Sequence, residues 1–114
     1  MTVDQFRRIA LGLPNAEERS HMGHPDFRVG GKIFATLGSP DKGHGMVKLT
    51  PEQQQSFMQD HPGIFSPAVG AWGRGGCTLV RLRAATAETV GEAMTEAWRN
   101  ITRKNEEKKK AGVR

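Results

Sequence analysis

The sequence predicts an α+β fold, a two-layer sandwich with helices packed on one face of an antiparallel sheet, in the order α-β(3-4)-α-β(1-2)-α. Three observations carry that reading. Capping-box signatures at Thr2–Gln5 and Thr50–Gln53 each open a helical pattern. The pair Gly30-Gly31 divides an apolar run into the two arms of a hairpin. An apolar stripe at Val90, Met94, Ala97, Trp98 and Ile101 marks a last helix. Runs of strands set between helices select the antiparallel two-layer class and leave the second sheet face partly wet.

Composition bounds the rest. A chain of 114 residues is one domain's worth and buries enough surface for one core without disulfides or metal. Gly and Pro number 14 and 6, below the share that marks a disordered tract. No apolar run approaches a membrane span, and the start MTVDQFRRIALGLP lacks the apolar stretch of a secretory signal. The single cysteine, Cys77, has no internal partner, so the expected compartment is reducing and cytoplasmic. The net charge of +5 points toward a polyanionic partner. Residues 103–114 hold six Lys/Arg and two Glu, however, which leaves eleven basic and ten acidic residues in the body. The expected organisation is a single domain over 1–102, followed at 103–114 by a basic tail or a frayed helix end.

Each element then follows from local chemistry. Thr2 caps a helix over 3–12, with Phe6, Ile9, Ala10 and Leu13 on one face and Gly12 and Pro14 as the stop. In the hairpin over 26–37, a two-residue turn sets Val29 opposite Lys32, Arg28 opposite Ile33 and Phe27 opposite Phe34. Phe27, Val29 and Phe34 then share one side, and Ile33, Ala35 and Leu37 the other. Residues 38–45 read as a loop, and Met46–Leu49 as a strand with Val47 and Leu49 inward and Lys48 outward. Pro51 sits at the first helical position after Thr50, and Phe57 and Met58 dock a helix that ends near His61-Pro62-Gly63. Residues 62–76 are turn-rich, with an extended piece around Ile64-Phe65. Thr78–Arg83 alternates as a strand with Val80 and Leu82 inward, and Thr86 caps the last helix.

The candidate chemistry is sparse. His21 and His24 sit in a turn, and a zinc site would need His44, His61, Cys77 or an acid from elsewhere. A Glu18–His21 acid/base pair lacks a nucleophile motif. Gly30-Gly31-Lys32 lacks the first glycine and the Ser/Thr of a phosphate loop, and Gly73-Arg74-Gly75-Gly76 lacks dinucleotide spacing. Cys77 reads as a structural thiol. No catalytic residue, cofactor or metal is therefore assigned. The strongest pattern is cationic. Strand alternation turns Arg28, Lys48, Arg81 and Arg83 away from the helices, while Lys32 and Arg74 sit at adjacent turns and Trp72 offers a stacking or wedge surface. No acid lies between Asp60 and Glu88. The plain alternative is an ordinary solvated sheet face, protected by charge from edge-to-edge association.

The segment Glu18-x-x-His21-x-Gly23-x-Pro25-x-Phe27-Arg28-Val29-x-Gly31-Lys32-Ile33-Phe34 resembles the hallmark of the MmcQ/YjbR-like family. The likeness continues through Val47-Lys48-Leu49, Trp72-Gly73-Arg74-Gly75-Gly76 and Glu96-Ala97-Trp98-Arg99, covering roughly residues 2–104. It implies a small bacterial cytoplasmic protein with a two-layer fold likened to the frataxin (CyaY) fold and to secretion chaperones. It also implies DNA binding through a double-wing arrangement of strands and turns, and brings no cofactor or catalytic set. Cys77 departs from the pattern by standing where a second tryptophan is common, and the run Lys108–Lys110 lies past the likeness. The expectation is a non-enzymatic DNA-binding protein of low sequence specificity acting through Arg28, Lys32, Lys48, Trp72, Arg74, Arg81 and Arg83. The alternatives are a protein-interaction module, or a small enzyme or metal site at Glu18, His21 and His24.

Overall fold

The computed structural model describes the backbone of residues 1–112 and side chains through residue 107; the Lys108–Lys110 side chains of the basic segment therefore lie outside the described residues. Thr2 caps α1 (Val3–Leu11), its hydroxyl accepting from the Gln5 amide while the Gln5 side chain accepts from the Thr2 amide. Thr50 and Gln53 repeat this reciprocal pair at the start of α2 (Pro51–Asp60). The long helix α4 (Ala87–Gly112) starts where the Thr86 hydroxyl accepts from the Thr89 amide. In all three cases an orphan helix N–H is satisfied locally, which is why these starts are readable in the chain.

Six strands make one sheet: β1 (Glu17–His21), β2 (His24–Val29), β3 (Lys32–Leu37), β4 (His44–Lys48), β5 (Phe65–Pro67) and β6 (Cys77–Arg81). Their order is β1-β2-β3-β4-β6-β5, and every neighbouring pair is antiparallel. Helices α1 and α4 cover one face. Phe6 of α1 meets Phe27 of β2 with ring centroids 6.2 Å apart, and Val90, Ala93, Met94 and Ala97 of α4 are fully buried against the sheet. Trp98 closes the layer by donating its indole N–H to the Pro14 carbonyl at 3.0 Å. No helix among the described residues is long and apolar enough to cross a membrane.

The structure corrects four details of the sequence reading. Strand β1 was not foreseen: all five of its residues are exposed, so it has no apolar period, and it forms because a Met22-Gly23 turn with φ of 51° and 79° folds it back on β2. Phe27 lies opposite Ala35 rather than Phe34, because β3 carries one extra residue there as a bulge. The bulge buries Phe34 and Ala35 completely and moves Ala35 and Leu37 to the Phe27 side, leaving Ile33 opposite Arg28. Strand β4 begins at His44, inside the expected loop, because Phe6 packs on Gly45, where an added Cβ would lie 2.6 Å from its ring. Strand β6 ends at Arg81, and Leu82–Ala84 is a 3-10 turn. Arg83 therefore leaves the sheet, since the neighbouring β4 has already turned away at Gly43, whose carbonyl accepts from the Leu82 amide.

Candidate nucleic-acid interface

The helix-free face is built from the residues that alternate with the core. On β4 these are His44, Met46 and Lys48, and on β6 they are Arg81, Leu79 and Cys77, paired in that register. The face is not uniformly cationic. Its centre is a groove of about 520 Å³ with Thr36, Met46 and Leu79 as the floor. His21 and Met22 of the β1–β2 hairpin form one wall, and Val69 and Trp72 form the other. Met22, Val69 and Trp72 are among the few large apolar side chains left exposed, Trp72 at 69%.

The wall that carries Trp72 is a short helix, α3 (Ala71–Arg74), which the glycine-rich composition concealed. Its position is over-determined. A Cβ on Gly73 would lie 1.8 Å from the Ala68 carbonyl oxygen, and one on Gly76 would lie 2.0 Å from that of Leu49. Gly76 also has φ of 111°, a conformation that favours glycine. From α2, the buried Gln54 brings its Nε2 within 3.1 Å of the Gly73 carbonyl and 3.0 Å of that of Cys77. The Trp72-Gly73-Arg74-Gly75-Gly76 run is thus a rigid bracket that presents one ring and one guanidinium.

The seven expected contact residues separate into four groups. Lys48 and Arg81 lie on the open face at the two ends of the β4–β6 pair, four ladder positions and about 13 Å apart along the strands. Trp72 lines the groove from α3, and Arg74 is exposed at the last position of that helix. Arg83 is exposed just past β6, off the sheet. Arg28 is on the open face, but its guanidinium is bound to Asp26, while Lys32 opens β3 opposite the core residue Val29, on the helix-covered side. No carboxylate lies within ion-pair distance of Lys48, Arg74, Arg81 or Arg83 among the described residues, whereas Arg7, Arg19, Arg28 and Arg99 all have one.

The sequence reading missed the residue that organises this face. Asp26 is completely buried on β2, where it accepts from Arg28 Nε at 2.7 Å and Nη2 at 3.0 Å and meets His21 Nδ1 at 2.7 Å. Arg28, hydrogen-bonded to it, holds the Asp26 carboxyl below the usual carboxylate range against the upward push of burial, with His21 adding to the lowering. The Glu18–His21 pair weighed as an alternative does not form. Glu18 lies opposite Phe27 and accepts from Arg7 Nε at 2.7 Å, whereas His21 sits on the open side with Asp26. The alternation Asp26-Phe27-Arg28 held the signal: an acid two residues before an arginine on one strand face. His24 packs beside Gly38 instead of joining a ligand set, and among the described residues no three His, Cys, Asp or Glu converge to hold a metal. Cys77 is half-buried opposite Lys48; burial pushes its thiol up, and Lys48 offsets part of that.

Comparison with known proteins now places the fold. A protein of Deinococcus radiodurans, DR2400, described as a DUF419 domain, has a crystal structure similar to this one. The TM-score is 0.77 at 23% identity, over 99% of this chain and 89% of that one, a likeness in fold. No curated protein matches the chain. The family described as YjbR matches residues 11–100, which take in β1 to β6 and the α4 stripe as far as Trp98. With four-fifths of its length covered by that match, the chain belongs to the YjbR family.

Proposed function

We propose that this chain is a non-enzymatic DNA-binding protein of low sequence specificity that works through the rim of the open sheet face. One observation carries the reading. The exposed ring of Trp72 stands two residues from Arg74, and Arg74, Lys48, Arg81 and Arg83 have no carboxylate partner among the described residues. Arg28, by contrast, is paired with the buried Asp26. Unpaired cations around a rigid aromatic suit a polyanion whose phosphates supply most of the affinity. The contact set is accordingly Lys48, Trp72, Arg74, Arg81 and Arg83. Arg28 serves the sheet, and Lys32 lies on the helix-covered side, away from this contact set.

Fluorescence anisotropy of a labelled DNA duplex at two salt concentrations tests the proposal. Arg74→Ala and Arg81→Ala each weaken binding, and each flattens the slope of log affinity against log salt by about 0.9. Unchanged slopes in both variants defeat this surface. Truncation after residue 102 separates the basic segment: a slope that vanishes with it assigns the affinity to the segment and away from the sheet. The apolar floor of the groove favours a second reading, a protein-interaction module. That reading predicts no DNA binding even at low salt.

A further inference from the structure

We infer that the open-face groove receives one unstacked base of single-stranded DNA, stacked on Trp72 and hydrogen-bonded to His21; this rests on the DNA-binding reading above. Duplex DNA keeps its base faces inside the stack, so a duplex meets Trp72 only with sugar and phosphate. A single strand offers base faces directly, and every base has one. The groove, at about 520 Å³, is in the range of sites that enclose a small flat ligand.

Its chemistry is that of a base-sized slot. Met22, Met46, Val69 and Leu79 supply an apolar surround, and methionines adapt to rings of different size. Of the polar groups on its lining, which include His24, Thr36 and Ser39, His21 is the one oriented by a buried acid. Asp26, fixed by two bonds from Arg28, engages its Nδ1 at 2.7 Å, so in the neutral ring Nδ1 carries the proton and donates to the carboxylate. Nε2 is left as an acceptor on a side chain that is 43% exposed and lines the groove. Each nucleobase carries an N–H on its pairing edge, and that edge is free only in a single strand. Lys48 and Arg81, at either end of the floor, lie where the backbone enters and leaves. The paired Arg28 acts here only through Asp26, as a positioning residue.

The test uses the full chain, tryptophan emission and anisotropy at low salt, with three probes: a dT 12-mer, a 12-mer abasic throughout, and a 12-base-pair duplex. The expected result is quenching of Trp72 by the dT 12-mer, with affinity about tenfold above that for the abasic strand and the duplex. Trp72→Ala removes that advantage, so that the dT and abasic 12-mers bind alike. His21→Phe keeps a flat ring but lowers dT affinity about threefold to tenfold without changing the salt slope, since no phosphate contact is lost. Because Trp72 and His21 are partly or largely exposed, both variants fold, and far-ultraviolet circular dichroism checks this. Equal affinity for all three probes, or tight dT binding that Trp72→Ala leaves intact, overturns the base slot while the duplex result upholds DNA binding. Absence of binding to any probe overturns both.

Discussion

Asp26→Asn probes the carboxylate around which the open face is arranged. The side-chain exposures are 0% for Asp26, 25% for Arg28 and 43% for His21. Asparagine keeps the shape but offers one acceptor oxygen, and its amide nitrogen then faces a donor. A hydrogen bond to a charged group is worth about 1.5–3 kcal/mol. One such bond survives in the variant, and water reaches the freed partners because both are partly exposed, so the net cost at pH 7 is about 2–3 kcal/mol. Against a stability of roughly 5–15 kcal/mol, the variant stays folded. The pH dependence follows from the depressed folded-state value, held down chiefly by the Arg28 bond. The stabilisation is complete above the unfolded value near about 4 and is lost as pH falls through the folded one. Asp41, lowered by His44 and the Gly43 amide, is present in both proteins and drops out of the difference. Urea unfolding across pH measures this directly: a wild-type advantage of about 2–3 kcal/mol at pH 7, at equal m-value, that shrinks below about pH 4. A gap under about 0.5 kcal/mol at pH 7, or one of constant size at every pH, refutes the reasoning.

Glycine substitutions separate positions that need glycine from one that does not. In α4, a Cβ on Gly91 meets nothing within 4 Å, so Gly91→Ala raises stability by about 1 kcal/mol in thermal or urea unfolding. Gly73→Ala drives its Cβ into the Ala68 carbonyl and costs about 2 kcal/mol or more in the same assay. Gln54→Leu fills the same space but removes the amide that reaches the Gly73 and Cys77 carbonyls, costing about 1–2 kcal/mol. Amide exchange in that variant accelerates over residues 71–76, and unchanged exchange there shows that Gln54 does not hold the Trp72 bracket.

The candidate site was only partly legible in the sequence. Lys48 and Arg81 were readable as outward because β4 and β6 alternate cleanly through Val47 and Val80. Trp72 and Arg74 were visible as a turn, but the four-residue helix that aims them depends on the Gly73–Ala68 approach and on Gln54, nineteen residues earlier. Arg28 read as a free cation because nothing in a strand pattern says that the adjacent acid is buried. Asp26 is buried by what surrounds it, not by its own polarity.

By itself the sequence determined whatever depends on neighbours a few residues apart. The two capping boxes, the Gly30-Gly31 hairpin and the α4 stripe each satisfy backbone groups or align an apolar face within one element. Only tertiary structure decided the rest. Strand β1 exists because β2 lends it a ladder, the Phe34 bulge exists because the core takes both Phe34 and Ala35, and β6 slots between β4 and β5. The groove with His21 on one wall and Trp72 on the other joins segments fifty residues apart. Such juxtapositions come from closing a sheet against two helices, a packing choice that no local window contains.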